Sequence, residues 1–96
     1  MSSSQTTVVT EKASRYLQQL CKHFAHKIPV SFTPHEGECQ FVCGTARLDA
    51  NDTELHIKIE SPDDAQRAQT QQVIESHLLR FAFREELGPL NWSVAN

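Results

Sequence analysis

Between Glu54 and Glu60 the chain alternates without a break, with Leu55, Ile57 and Ile59 on one side and His56 and Lys58 on the other. A strict period of two is the pattern of a strand with one buried face. The next four residues, Ser61-Pro62-Asp63-Asp64, are a helix start. Ser61 suits the cap, Pro62 the first helical position, and the two aspartates the positive end of the helix dipole. Any fold for this chain must hold a half-buried sheet and a helix.

The rest of the pattern extends that frame. Ala13, Tyr16, Leu17, Leu20, Cys21 and Phe24 recur at spacings of three and four, predicting an amphipathic helix capped by Thr10 and ended by Lys27 or Ile28 ahead of Pro29. Val30–Thr33 reads as a short strand, Pro34-His35-Glu36-Gly37 as a turn, and Glu38–Cys43 as a strand with Cys39, Phe41 and Cys43 on one face. Gly44 marks a bend before a further strand over Thr45–Ala50, and Asn51-Asp52 makes the next turn. The second helix is expected to run to Glu86 or Leu87, stopped by Gly88 and Pro89. Residues 1–7, rich in Ser, Thr and Gln, read as a disordered arm, and residues 8–96 as a single domain. The prediction is an α+β fold of α-β-β-β-β-α order, with an antiparallel sheet of three to four strands packed against two helices.

Composition narrows the function classes. A net charge of −3 with scattered Lys and Arg offers no footprint for nucleic acid or an anionic membrane. No apolar run is long enough to span a bilayer, and the polar start lacks a secretory h-region. Three cysteines, an odd number, fit reduced thiols and a cytoplasmic location. No Gly-rich phosphate loop, nucleophile elbow or H-E-x-x-H motif occurs. Nothing pairs a nucleophile with a base, so no catalytic residue is predicted and an enzyme is the least supported class.

The histidines carry what chemistry the sequence offers. His23 and His26 form an H-x-x-H on the first helix, so both imidazoles share a face and could reach one metal ion; the simpler account is two solvated histidines at a helix end. His77 falls within the stripe of Val73, Ile74, Leu78 and Phe81, where a buried imidazole needs a partner such as the Tyr16 hydroxyl or a backbone carbonyl. His77, Arg80 and Tyr16 are therefore the candidate ligand-binding residues. Cys21 belongs to the apolar stripe and reads as a small core residue, while Cys39 and Cys43 stand four strand steps apart, too far for a disulfide. The segment Leu78–Phe83 is apolar almost all round, which predicts cover by the tail around Trp92 or by a second copy in a homodimer.

Arg15-Tyr16-Leu17-Gln18-Gln19-Leu20-Cys21-Lys22-His23-Phe24-Ala25-His26-Lys27 and Ser76-His77-Leu78-Leu79-Arg80-Phe81-Ala82-Phe83-Arg84-Glu85 resemble the two signatures of a bacterial family known as domain of unknown function twenty-two eighteen. The resemblance extends from about Thr7 to Trp92 and points to Cys21, His23, His26, His77, Arg80, Phe81 and Glu85. It implies a small stand-alone protein linked to siderophore-interacting reductases. It also implies an accessory role in iron metabolism, with a siderophore-interacting reductase as partner and iron or zinc as the ion the histidines would take.

Overall fold

The opening residues, hydroxyl-rich and read from composition as a disordered arm, form an interior strand of the sheet. Ser2–Val9 is β1, and it buries Ser2, Ser4, Thr6 and Val8 while Gln5, Thr7 and Val9 face water. The period of two is present, but hydroxyls carry it on both faces, so hydropathy alone does not show it. Two of the inward hydroxyls find partners once the chain is folded, whereas Ser4 Oγ has none among the described residues. Ser2 Oγ donates to Asp64 Oδ1 at 2.6 Å, and Thr6 Oγ1 donates to the Asn91 carbonyl at 2.7 Å.

The computed structural model describes residues 1–95. After β1 come α1 (Ala13–Phe24), β2 (Val30–Phe32), β3 (Glu36–Phe41), β4 (Gly44–Ala50), β5 (Glu54–Ser61), α2 (Asp64–Phe81), a 3₁₀ turn (Phe83–Glu85) and β6 (Ser93–Ala95). The strands make one sheet in the order β2-β3-β4-β5-β1-β6, antiparallel throughout. The α+β class and the presence of two helices are as predicted, though α1 has Lys12 and not Thr10 at its cap position and ends at Phe24, short of Lys27 or Ile28. The expected three to four strands become six. The two extra strands are β1, hidden by its composition, and β6, whose three residues are too short to display a period.

Both helices lie on one face. Leu17, Leu20 and Cys21 of α1 and Ile74 and Leu78 of α2 meet Leu48, Leu55, Ile57 and Ile59 of the sheet in one buried core. Burying each such side chain contributes about 1.5–3 kcal/mol, and together they set the face on which the helices dock. The opposite face of the sheet is polar, with Glu38, Arg47 and Lys58 in one cross-strand row.

The start of α2 differs in detail from the prediction. Ser61 pairs with Ser2 in the β1–β5 ladder and is buried, so it ends the strand and does not cap the helix. Asp63 is the cap: its carboxylate accepts from the Gln66 amide at 2.8 Å, and the Gln66 side chain donates back at 3.0 Å. At the other end, α2 stops at Phe81. Ala82 is buried, the chain tightens into the 3₁₀ turn, and Glu86 and Gly88 take positive φ of 50° and 69°. The tail then packs back on the core through Leu87, Leu90 and Trp92, and the Trp92 indole donates to Glu75 Oε1 at 2.7 Å. Cover for most of the apolar helix end is thus supplied from within the chain.

Candidate functional site

Where α1 meets α2, five rings gather. His23, in the last turn of α1, faces His77 of α2 with ring centres 4.9 Å apart and planes inclined at 46°. Phe24 packs edge-on against His77 at 4.9 Å and against Phe41, at the end of β3, also at 4.9 Å. Phe81 closes the group, 5.7 Å from His23 and 6.3 Å from His77.

The protonation of His77 follows from its partner. Its Nδ1 lies 2.7 Å from the Val73 carbonyl oxygen, which can only accept. Nδ1 therefore carries the proton, and in the neutral ring Nε2 keeps its lone pair. This is the backbone-carbonyl partner expected for a half-buried imidazole in an apolar stripe. His23 is more exposed, yet its pKa is held below the usual histidine range. Desolvation among the rings is the largest cause, followed by the electrostatic influence of His77, Lys27, Arg80 and His26. The pair thus sits in a cationic neighbourhood that favours neutral imidazole at His23 and anions nearby.

The sequence-predicted sets are regrouped. The H-x-x-H spacing joins His23 to His26, but α1 ends at Phe24, so His26 falls in the following turn, and the imidazole packed on His23 is that of His77. Tyr16 does not serve His77. Its hydroxyl donates to Glu85 Oε2, and the Thr10 hydroxyl donates to Glu85 Oε1 at 2.8 Å. Burial, then the Glu85 hydrogen bond and charge, push the Tyr16 pKa up to about 12. Glu85 therefore ties the 3₁₀ turn to Tyr16 of α1 and to Thr10 ahead of it. Arg80 is exposed and contributes charge to the pair.

Among the described residues no group of three or more His, Cys, Asp or Glu side chains is placed to hold a metal ion. The imidazoles of His23 and His77 remain. Bound side by side to one ion through metal–nitrogen bonds of about 2.1 Å, two such rings would have centres roughly 5 Å apart, close to the spacing present. That spacing is compatible with two donors to a metal that brings its remaining ligands.

Cys21 is fully buried, as its stripe position implies, but its Sγ lies 3.9 Å from Sγ of Cys39, which is also fully buried. No spacing rule signals a contact between a helix and a strand 18 residues on, so this pair is visible only in the folded chain. Phe41 was likewise hidden, since nothing along β3 indicates that it reaches Phe24.

The fold is shared with a solved bacterial protein. The NMR structure of PA4090 from Pseudomonas aeruginosa is similar with a TM-score of 0.82 and 36% sequence identity, covering 97% of this chain and 96% of that one. No curated protein matches the sequence. The family model described as "Uncharacterized protein conserved in bacteria (DUF2218)" matches residues 5–93, and the chain belongs to that family.

Proposed function

We propose that this protein is an accessory binding module of bacterial iron handling that takes an anionic metal chelate at the His23–His77 pair. The observation that carries the reading is the 4.9 Å approach of two imidazoles from different helices. A chelated ion supplies most of its own ligands and needs only one or two more, which suits a two-donor site. Lys27 and Arg80 supply positive charge around His23, so the complex that fits is negative. Phe81, partly buried beside His23, gives the apolar surface that an aromatic chelator such as a catecholate would cover. A siderophore-interacting reductase is the partner consistent with the resemblance of the two helical motifs.

The test is a calorimetric titration with a ferric catecholate complex and, separately, with Zn²⁺ alone. The chelate is expected to bind wild type and to lose at least about tenfold in affinity with His23→Ala or His77→Gln, a loss of about 1.4 kcal/mol. Zn²⁺ alone is expected to bind weakly. Equal chelate affinity in wild type and His23→Ala would sink the reading; tight Zn²⁺ binding lost in His26→Ala would restore the H-x-x-H site in its place.

A second reading, a protein-interaction module acting as a homodimer or docking on a partner without metal or catalysis, rests on Phe83. That ring is 66% exposed, beside the buried Ala82, with the Arg84 guanidinium 5.6 Å above it. Arg beside an exposed aromatic is a composition enriched at interfaces. On this reading, sedimentation shows a dimer that Phe83→Ser converts to monomer. A wild-type monomer at high concentration would remove self-association.

A further inference from the structure

Cys21 on α1 and Cys39 on β3 place their sulfur atoms 3.9 Å apart with both side chains fully buried. The approach is built into the local packing. Opposite them is Gly37, where an added Cβ would lie 2.7 Å from Cys21 Sγ and 3.4 Å from a Leu17 methyl. Only a residue without a side chain leaves the Cys21 thiol its place. Cys39 pairs across to Val30 on β2, a three-residue strand at the edge of the sheet. A short edge strand opens more readily than the centre of a sheet, so β2 is the element whose opening would expose the pair. Neither thiol takes part in the histidine site.

We propose that Cys21 and Cys39 are a latent disulfide, closed by a hydroperoxide into a covalent tie between α1 and β3. The chemistry balances in two steps. The Cys21 thiolate attacks the peroxide O–O bond, forming a sulfenic acid and releasing hydroxide. The Cys39 sulfur then displaces the sulfenic oxygen as water, forming the S–S bond. In sum two thiols lose two protons and two electrons, and hydrogen peroxide is reduced to two waters. The two sulfurs share a contact in which either can donate, so each thiol stands within reach of the other once one is oxidised. Forming the bond draws the sulfurs from 3.9 Å to about 2.05 Å, a movement that side-chain rotation and a small shift of α1 can supply. Cys43, in the turn after β3, accepts from the Thr70 hydroxyl at 3.1 Å and has no part in the tie. This inference stands independently of the proposed ligand site.

The test uses wild type and Cys43→Ser, treated with hydrogen peroxide, then denatured, alkylated with N-ethylmaleimide and weighed intact. Oxidised Cys43→Ser is expected to accept no alkyl group and oxidised wild type one, rising to two and three after dithiothreitol. The denaturant midpoint is expected to rise on oxidation and return on reduction, because the tie restricts the unfolded chain. Retention of two alkylatable thiols in oxidised Cys43→Ser would overturn the proposal. So would irreversible oxygen uptake, or a disulfide-linked dimer in place of the intramolecular bond.

Discussion

Gly44→Val is expected to destabilise the fold by about 3 kcal/mol, lowering the thermal midpoint by roughly 10–20 °C. Gly44 begins β4 directly after the hairpin from β3, and its φ is not in the left-handed region, so conformational freedom is not the reason for glycine. Space is the reason. A Cβ there would lie 2.1 Å from Ser61 Oγ, 2.8 Å from the Glu60 carbonyl oxygen and 2.8 Å from Thr70 Oγ1. The serine hydroxyl can rotate away. The carbonyl belongs to β5 backbone and Thr70 is fully buried in α2, so neither can yield without moving an element. Gly44→Ala should therefore be harmful, and Val, with two further methyl groups, considerably worse. Thermal denaturation of both variants beside wild type checks this; a Val variant within 1 kcal/mol of wild type would show that β4 and β5 are not this closely apposed.

Alkaline pH is expected to erode stability through Tyr16. The fold raises this phenol to about 12, whereas in the unfolded chain it titrates near its ordinary value of 10.0. A group whose folded pKa is raised favours the native state while it stays protonated. Its contribution is whole below about pH 10 and is lost as pH climbs from there through about 12. The shift corresponds to at most about 2.7 kcal/mol, and about 2 kcal/mol is expected because Glu85 is half-exposed and partly screened. The chain has 1 tyrosine, so its ultraviolet titration reports this residue alone. Tyr16→Phe should lose about 1 kcal/mol at neutral pH, since Glu85 keeps Thr10 and regains water, and should flatten the limb above pH 10. If Tyr16→Phe kept the same alkaline loss as wild type, the Tyr16–Glu85 bond would not be its source.

What could be read along the chain was whatever a single element displays by itself. The α1 stripe from Ala13 to Phe24 is buried as its spacing implies, and the Leu55-Ile57-Ile59 face lies in the core. Hydrophobic period is a local property, and burial follows it directly. The segment over Ser2–Val9 was not legible for the same reason: its inward side chains are mostly hydroxyls, and two of them, on Ser2 and Thr6, are satisfied by Asp64 and Asn91, residues remote in sequence. A polar strand becomes acceptable only when its partners are already in place.

The candidate site divides along the same line. The sequence by itself determined the residue types available, a histidine near the end of α1 and another within an apolar stripe of α2. It also determined that few other groups were offered for chemistry. Tertiary structure alone decided the pairings: His23 with His77 and not His26, Tyr16 with Glu85 and not His77, Cys21 with Cys39. Each of these joins two elements whose relative position is set by packing helices onto a sheet. Side-chain spacing along one helix or strand carries no information about the register between two of them.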